Sequence, residues 1–404
     1  MSLFSSVEMA PRDPILGLNE QFSVDPHPDK LNPGVGVYFD EDGKLPLLAC
    51  VQVAEKTLMD KAAPRGYLPI DGIAAYDSAV KGLIFGTNSA VVQEGLVATV
   101  QTLGGTGGLK IGADFLKKIN PNAKVLISDP SWENHRALFS NAGFLVETYI
   151  YYDAGKRGVN FDGMLASLKA AVPGTIVVLH ACCHNPTGYD ITPAQWDQVV
   201  EAVRAGRLIA FLDMAYQGFG HGIAEDGAVI GKFVDAGLNF FVSSSFSKSF
   251  SLYGERVGAL SVVCSGKEET ARVLSQLKIT IRTNYSNPPT HGAAVVAAVL
   301  NTPELRQQWE QELGVMRARI KQMREKLVEG LKAAGVQRDM SFITQQIGMF
   351  SYSGLSKDQM VRLRSEFGVY GTDSGRMCVA ALNKKNIAYV CEAMAKVLDA
   401  TVAA

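Results

Sequence analysis

Phe246-Ser247-Lys248-Ser249-Phe250, preceded by the apolar run 238–242 and followed by Tyr253-Gly254-Glu255-Arg256-Val257-Gly258, decides how this chain is read. A short apolar run that empties into a serine-rich loop has the character of a buried strand. Lys248 lies between that strand and the polar loop. Partial burial and a neighbouring cation lower an ammonium's pKa and free a neutral amine to attack carbonyls. Arg256 supplies such a cation and equally suits a phosphate. Alone, Lys248 reads as one surface cation among 39 Lys and Arg. Other segments change that reading.

The same unit recurs. Residues 125–128, 144–150, 175–180, 208–212, 240–244 and 259–264 are short runs without alternation, so each reads as a strand covered on both faces. Helical patterns such as 160–171 and 192–205 separate many of them. Thr192-Pro193-Ala194-Gln195 reads as an N-cap followed by proline at the first helical position. The alternation predicts an α/β large domain with a mostly parallel sheet flanked by helices.

After Pro303, Leu305, Trp309, Leu313, Met316, Ile320, Met323, Leu327 and Leu331 recur at spacings of three and four. That is one long amphipathic helix, linking two domains. Gly314 and the short repeat count against a coiled coil. Beyond it, 349–353 and 376–381 read as strands of a smaller α+β domain, with which the stretch up to Lys44 packs. The expected division is an arm at 1–12, a small domain from 13–44 and 315–404, and a large domain at 45–314.

A chain of 404 residues is long enough for two such domains. Its formal net charge of -1 removes any bulk electrostatic case for nucleic acid or a membrane surface. No apolar run approaches a membrane span, and residues 1–12 carry no signal-peptide pattern. Six cysteines in this length do not make a disulfide scaffold, so a reduced, cytoplasmic protein is expected.

Six further segments could carry chemistry. Gly104-Gly105-Thr106-Gly107-Gly108-Leu109 opens a helical pattern; converging backbone N–H groups and the helix N-terminus suit a phosphate. It is neither a Walker loop nor a dinucleotide fingerprint, and a glycine-rich helix entry without ligand is the plain alternative. Asp213, in Leu212-Asp213-Met214-Ala215-Tyr216, ends a strand where α/β proteins bind ligands; there a carboxylate can hold a protonated ring nitrogen, unless it merely caps a helix. Tyr216 can bond a phenolic oxygen. His180-Ala181-Cys182-Cys183-His184 invites a metal reading, but adjacent sulfurs chelate poorly and no second cluster completes a site, so no metal is expected. Asn185-Pro186-Thr187-Gly188 reads as a turn presenting the Asn185 amide. Trp132, after Asp129-Pro130-Ser131, either stacks on a planar heterocycle or fills core. Arg376 and Arg282 offer carboxylate-matched forks, a surface ion pair being the bland reading of each.

Assembled, these residues resemble the class I, fold type I pyridoxal-phosphate enzymes of the aspartate/aromatic aminotransferase family. The likeness runs from Asp13-Pro14-Ile15-Leu16-Gly17 to the Arg376 segment. Its most specific carriers are Ser244-Ser245-Phe246-Ser247-Lys248, Glu255-Arg256-Val257-Gly258, His184-Asn185-Pro186-Thr187-Gly188 and Tyr285-Ser286-Asn287-Pro288-Pro289.

The resemblance implies the pyridoxal-phosphate-dependent transferase fold, with residues 45–314 binding the cofactor. It makes Lys248 the Schiff-base lysine and proton shuttle, and Asp213 the partner of the pyridinium nitrogen. Tyr216 and Asn185 would bond the phenolate oxygen, and Trp132 would stack on the ring. Gly105, Thr106, Ser245 and Arg256 would hold the phosphate, joined by Tyr67 of a neighbouring subunit in a homodimer with shared active sites. Arg376, with Gly36 close by, would grip the substrate α-carboxylate; Arg282 would reach across the dimer to a side-chain carboxylate. The implied reaction is reversible amino transfer from an aromatic L-amino acid (Tyr, Phe) or aspartate to 2-oxoglutarate, through a pyridoxal-phosphate aldimine in ping-pong order. The wording around Lys248 and Arg376 is closer to the aromatic subgroup, with an aspartate enzyme of dicarboxylic preference as the alternative. An NAD-dependent dehydrogenase would need a dinucleotide fingerprint, which is absent.

Overall fold

A computed structural model describes residues 2–399. Its central sheet has seven strands: β1 (Val97–Leu103), β2 (Lys124–Asp129), β3 (Leu145–Ile150), β4 (Ile176–His180), β5 (Ile209–Met214), β6 (Phe241–Ser245) and β7 (Val257–Val263). In space they run β1-β7-β6-β5-β4-β2-β3. Among the described strands of this sheet, β7 alone runs against the direction of the other six.

The apolar runs explain why both faces are covered. Side chains alternate along a strand, so Val177, Leu179, Ala210, Leu212 and Val242 enter one core cluster. Ile176, Val178, Phe211 and Phe241 enter another on the opposite face. Strand β1 was not expected from sequence, because Thr99, Gln101 and Thr102 interrupt its apolar character. Two of those polar groups find partners on distant segments: Thr99 Oγ1 bonds Ser261 Oγ at 2.9 Å and Gln101 Nε2 donates to the Pro289 carbonyl at 2.8 Å, while Thr102 Oγ1 donates to the nearby Gly104 carbonyl at 3.0 Å.

Helices make the crossovers. The Pro193–Ala205 helix starts as its sequence requires, with Thr192 and Gln195 forming a reciprocal capping box and proline in the first turn. The Pro303–Ala333 helix is continuous over 31 residues. Trp309, Leu313, Met316 and Ile320 pack into the first sheet cluster, and Met323, Leu327 and Leu331 into a third cluster beyond it.

In that third region the expected strand at 376–381 is shorter. β8 (Phe350–Tyr352) pairs with β9 (Arg376–Cys378), and residues Val379–Ala381 turn into a 3-10 helix. The N-terminal segment claims the backbone there: Cys378 N–H donates to the Pro33 carbonyl at 2.7 Å and Phe39 N–H to the Ala380 carbonyl at 3.0 Å. Leu31 N–H donates to the Gly368 carbonyl and Tyr370 N–H to the Leu31 carbonyl, both at 2.9 Å, and Tyr370 donates its hydroxyl to Asp25 at 2.6 Å. Among the described residues no helix is long and apolar enough to cross a membrane.

Candidate active site

Parallel strands release their carboxyl ends along one edge, and ligands bind outside that edge in open α/β sheets. β2 delivers Trp132 there, β4 the 180–185 turn, β5 Asp213 and Tyr216, and β6 Ser245 and Lys248. Because β7 runs the other way, its first residues start at the same edge, and this brings in Arg256. Gly105 and Thr106 arrive on the helix Gly104–Ile119, and Gly36 from the N-terminal segment. All of these residues line one cavity of about 220 Å³.

Lys248 faces that cavity, with Nζ 4.9 Å from the Tyr216 ring centroid. No hydrogen bond or salt bridge engages Nζ among the described residues. Burial lowers its pKa to about 8; Asp213 opposes the shift, and Arg256 and Arg376 add to it. The amine is thereby poised as a nucleophile near neutral pH.

Asp213 is buried at the end of β5. Burial by itself would raise its pKa, but the hydrogen bond from His135 and the charges of His135, His180 and Lys248 outweigh it and hold the carboxyl below its usual value. His135 Nε2 lies 2.8 Å from Asp213 Oδ2, and His135 Nδ1 lies 2.9 Å from Ser131 Oγ. Burial drives the pKa of His180 well down, helped by His184 and His135. A lasting carboxylate at this place suits a protonated ring nitrogen.

Tyr216 and Asn185 share a corner, with Asn185 Nδ2 donating to Tyr216 Oη at 3.5 Å. Burial raises the tyrosine's pKa, so it stays a phenol. Arg376 is buried against both. Nη1 donates to Asn185 Oδ1 at 3.0 Å, Nη2 to the Gly34 carbonyl at 2.8 Å, and the guanidinium lies 4.4 Å from the Phe350 ring centroid. Its Nε has no hydrogen-bond partner among the described residues. Gly36 lies in the same segment, but the carbonyl touching Arg376 is Gly34's; a Cβ on Gly36 would meet Phe350 Cζ at 2.7 Å.

Arg256, with φ +54, donates to Ser247 Oγ at 3.3 Å and to the Tyr253 carbonyl at 3.0 Å. Among the described residues no carboxylate pairs with it. Gly104, at φ +67, leaves room for it: a Cβ there would meet Arg256 Nη2 at 2.5 Å. An uncompensated guanidinium beside a helix N-terminus and the Ser245 hydroxyl fits a phosphate.

Three expected residues do not line this cavity; Arg376 reaches it only through Asn185, while Tyr67 and Arg282 stand away from it. Tyr67 is 97% exposed. Arg282 is exposed in the last turn of the helix Lys267–Asn284 and bonded to the Ser286 hydroxyl. Sequence reading missed His135, Phe350, Val35 and Val37. His135 lies on the helix Glu133–Asn141 with no motif around it, and only the fold turns it onto Asp213.

An α/β sheet whose carboxyl edge joins a poised lysine, an ionised buried aspartate and a phosphate cradle defines a pyridoxal-phosphate-dependent enzyme. Residues 28–394 match the family described as aminotransferase class I and II. A Pseudomonas aeruginosa protein called aspartate aminotransferase is 62% identical over 398 residues, spanning 98% of this chain and 100% of its own. An aromatic-amino-acid aminotransferase of Escherichia coli is 51% identical over 399 residues, with 98% and 100% covered. The solved aromatic-amino-acid aminotransferase of Burkholderia pseudomallei, covalently bound to pyridoxal phosphate, superposes with a TM-score of 0.96 at 66% identity, covering 98% of this chain and 100% of that one. The chain belongs to the class I and II aminotransferase family.

Proposed function

We propose that this protein moves the amino group of tyrosine, phenylalanine or aspartate onto 2-oxoglutarate, reversibly and in ping-pong order. The observation that carries the proposal is Arg376, buried with Nε unpartnered among the described residues and bonded to Asn185, which lines the cavity that holds Lys248. A substrate α-carboxylate on that fork brings Cα towards the lysine amine.

Bound pyridoxal phosphate supplies the ring that takes up negative charge from the substrate Cα. Asp213 keeps the ring nitrogen protonated, oriented by His135. Tyr216 and Asn185 bond the phenolate oxygen and Trp132 covers the ring face. Gly105, Thr106, Ser245 and Arg256 hold the phosphate. Lys248 holds the cofactor, then as a free neutral amine takes the proton from Cα and redelivers it.

A homodimer follows from the same assignment. Tyr67 and Arg282 have no role in the cavity of their own chain, and both are exposed for a second copy: Tyr67 to reach its phosphate, Arg282 to meet a side-chain carboxylate. Leu3, Phe4, Val7 and Met9 are at least 70% exposed, which suits an arm (1–12) laid on a partner. Residues 45–314 form the cofactor-binding body and 13–44 with 315–399 the smaller one, residues 400–404 of that expected division lying outside those described, and the cytoplasm is the compartment.

Dicarboxylic preference is the second reading, favoured by the name of the 62% identical Pseudomonas aeruginosa relative. Comparing kcat/KM for aspartate, tyrosine and phenylalanine, with 2-oxoglutarate as acceptor, separates the two. Arg282→Leu is expected to lower kcat/KM for aspartate about 10–100-fold, as loss of a charged hydrogen bond implies. Phenylalanine should change much less, and equal losses would remove Arg282 from side-chain recognition.

A further inference from the structure

Cys182 and Cys183 take no part in the chemistry above, yet both are buried free thiols in the turn after β4, and Cys182 lines the site. Adjacent sulfurs alone chelate poorly, and nothing nearby in sequence completes a site. The fold supplies what is missing. One carboxylate oxygen of Asp226, on the helix Ile223–Asp235, lies within 4.8 Å of both sulfurs, as they do of each other.

The arrangement is held from several sides. Cys183 sits at φ +51, a left-handed conformation rare for a side chain of this kind. Asp190 pins it there, accepting the Cys183 N–H at 2.6 Å and the His184 N–H at 2.8 Å. Asp226 is equally fixed. Its Oδ2 accepts the N–H groups of Gly218 and Gly220, while Oδ1 accepts only that of His221 and so retains acceptor capacity.

Access comes from a second cavity of about 350 Å³, lined by Cys182, Asp226 and His221 and by the charged side chains of Asp190, Glu225 and Lys232. Cys182 also lines the active-site cavity, so it forms part of the wall between the two.

We propose that Cys182, Cys183 and Asp226 form a binding site for a soft divalent cation of the zinc type, entered from this second cavity. Two thiolates and a carboxylate are the donor set such an ion takes, and the cavity leaves a fourth position for water. On binding, two S–H bonds break, two protons pass to solvent and two sulfur–metal bonds form; no electron is transferred. The ion fixes the 181–185 turn, which carries Asn185, and through Cys183 it touches the Tyr216 backbone, whose carbonyl lies 3.8 Å from Cys183 Sγ. Occupancy therefore slows amino transfer without blocking the substrate's path.

The test is cadmium titration of the holoenzyme, followed by thiolate-to-cadmium absorbance and by equilibrium dialysis. One ion per chain is expected, with the absorbance band lost in both Cys182→Ser and Cys183→Ser. Asp226→Asn should weaken binding by roughly 10–100-fold or more. Because Asp226 also holds three backbone groups, the cysteine variants decide if that protein fails to fold. Activity should fall in step with occupancy and return when a 1,2-dithiol removes the metal. A band that survives in the Cys182→Ser/Cys183→Ser double variant overturns the site, as does activity unmoved at full occupancy.

Discussion

At the scale of single residues, Lys248 shows how environment makes chemistry. A lysine in water is an ammonium and no nucleophile; taken off water, with Arg256 and Arg376 near it, its pKa falls to about 8. Covalent attachment of pyridoxal phosphate to protein stripped of it should therefore speed up as pH rises through about 8, then level off. Stopped-flow absorbance of the attached cofactor, scanned over pH, measures this, with Lys248→Ala as the zero. A profile rising only towards the pKa of a free lysine, about 10.4, would contradict the burial effect. Lys248 itself was legible because its neighbours Ser245 and Arg256 lie close in sequence. His135 was not: its bond to Asp213 spans 78 residues of chain, and no local pattern marks it.

At the scale of elements, the crossover helices were legible from local rules: Thr192 and Gln195 cap a helix wherever that helix packs. The strands were legible where apolar runs are unbroken. β1 escaped because its Thr99 and Gln101 side chains find partners on distant segments, and 376–381 was read too long because N-terminal backbone bonds end the ladder. The helix Gly104–Ile119 illustrates a constraint that local rules do not show. It lies so close on the sheet that a Cβ at Gly112 would meet Phe211 Cζ at 2.5 Å and Cε1 at 2.6 Å. Alanine favours an isolated helix over glycine by about 1 kcal/mol. Overpacking a buried ring costs about 1–3 kcal/mol. Gly112→Ala should thus lose stability on balance and lower the melting temperature by a few degrees, measured by calorimetry of the holoenzyme. A rise would mean that Phe211 moves aside freely.

At the scale of the whole molecule, the dimer proposal rests on Tyr67 and Arg282 having no work in their own chain's cavity. It has a direct test in mixed assemblies. Lys248→Ala and Arg282→Leu proteins, unfolded together and refolded, should form hybrids with one intact site, built from Lys248 of one chain and Arg282 of the other. Aspartate transamination of the mixture should then exceed the mean of the separately refolded parents. Activity equal to that mean would place both residues in one chain's site.

The α/β alternation and the long helix after Pro303 are written in the chain's own order, and so are the short motifs that hold most of the residues proposed for the cofactor. Those follow from periodicity and from residues close together along the chain, which carry their meaning wherever the chain runs. Only the tertiary structure decided that His135 braces Asp213, that Phe350 lies under Arg376, and that Asp226 stands beside Cys182 and Cys183. Each of these joins segments whose separation in sequence says nothing about their distance in space, because the sheet order, and not the chain order, sets which strand ends meet.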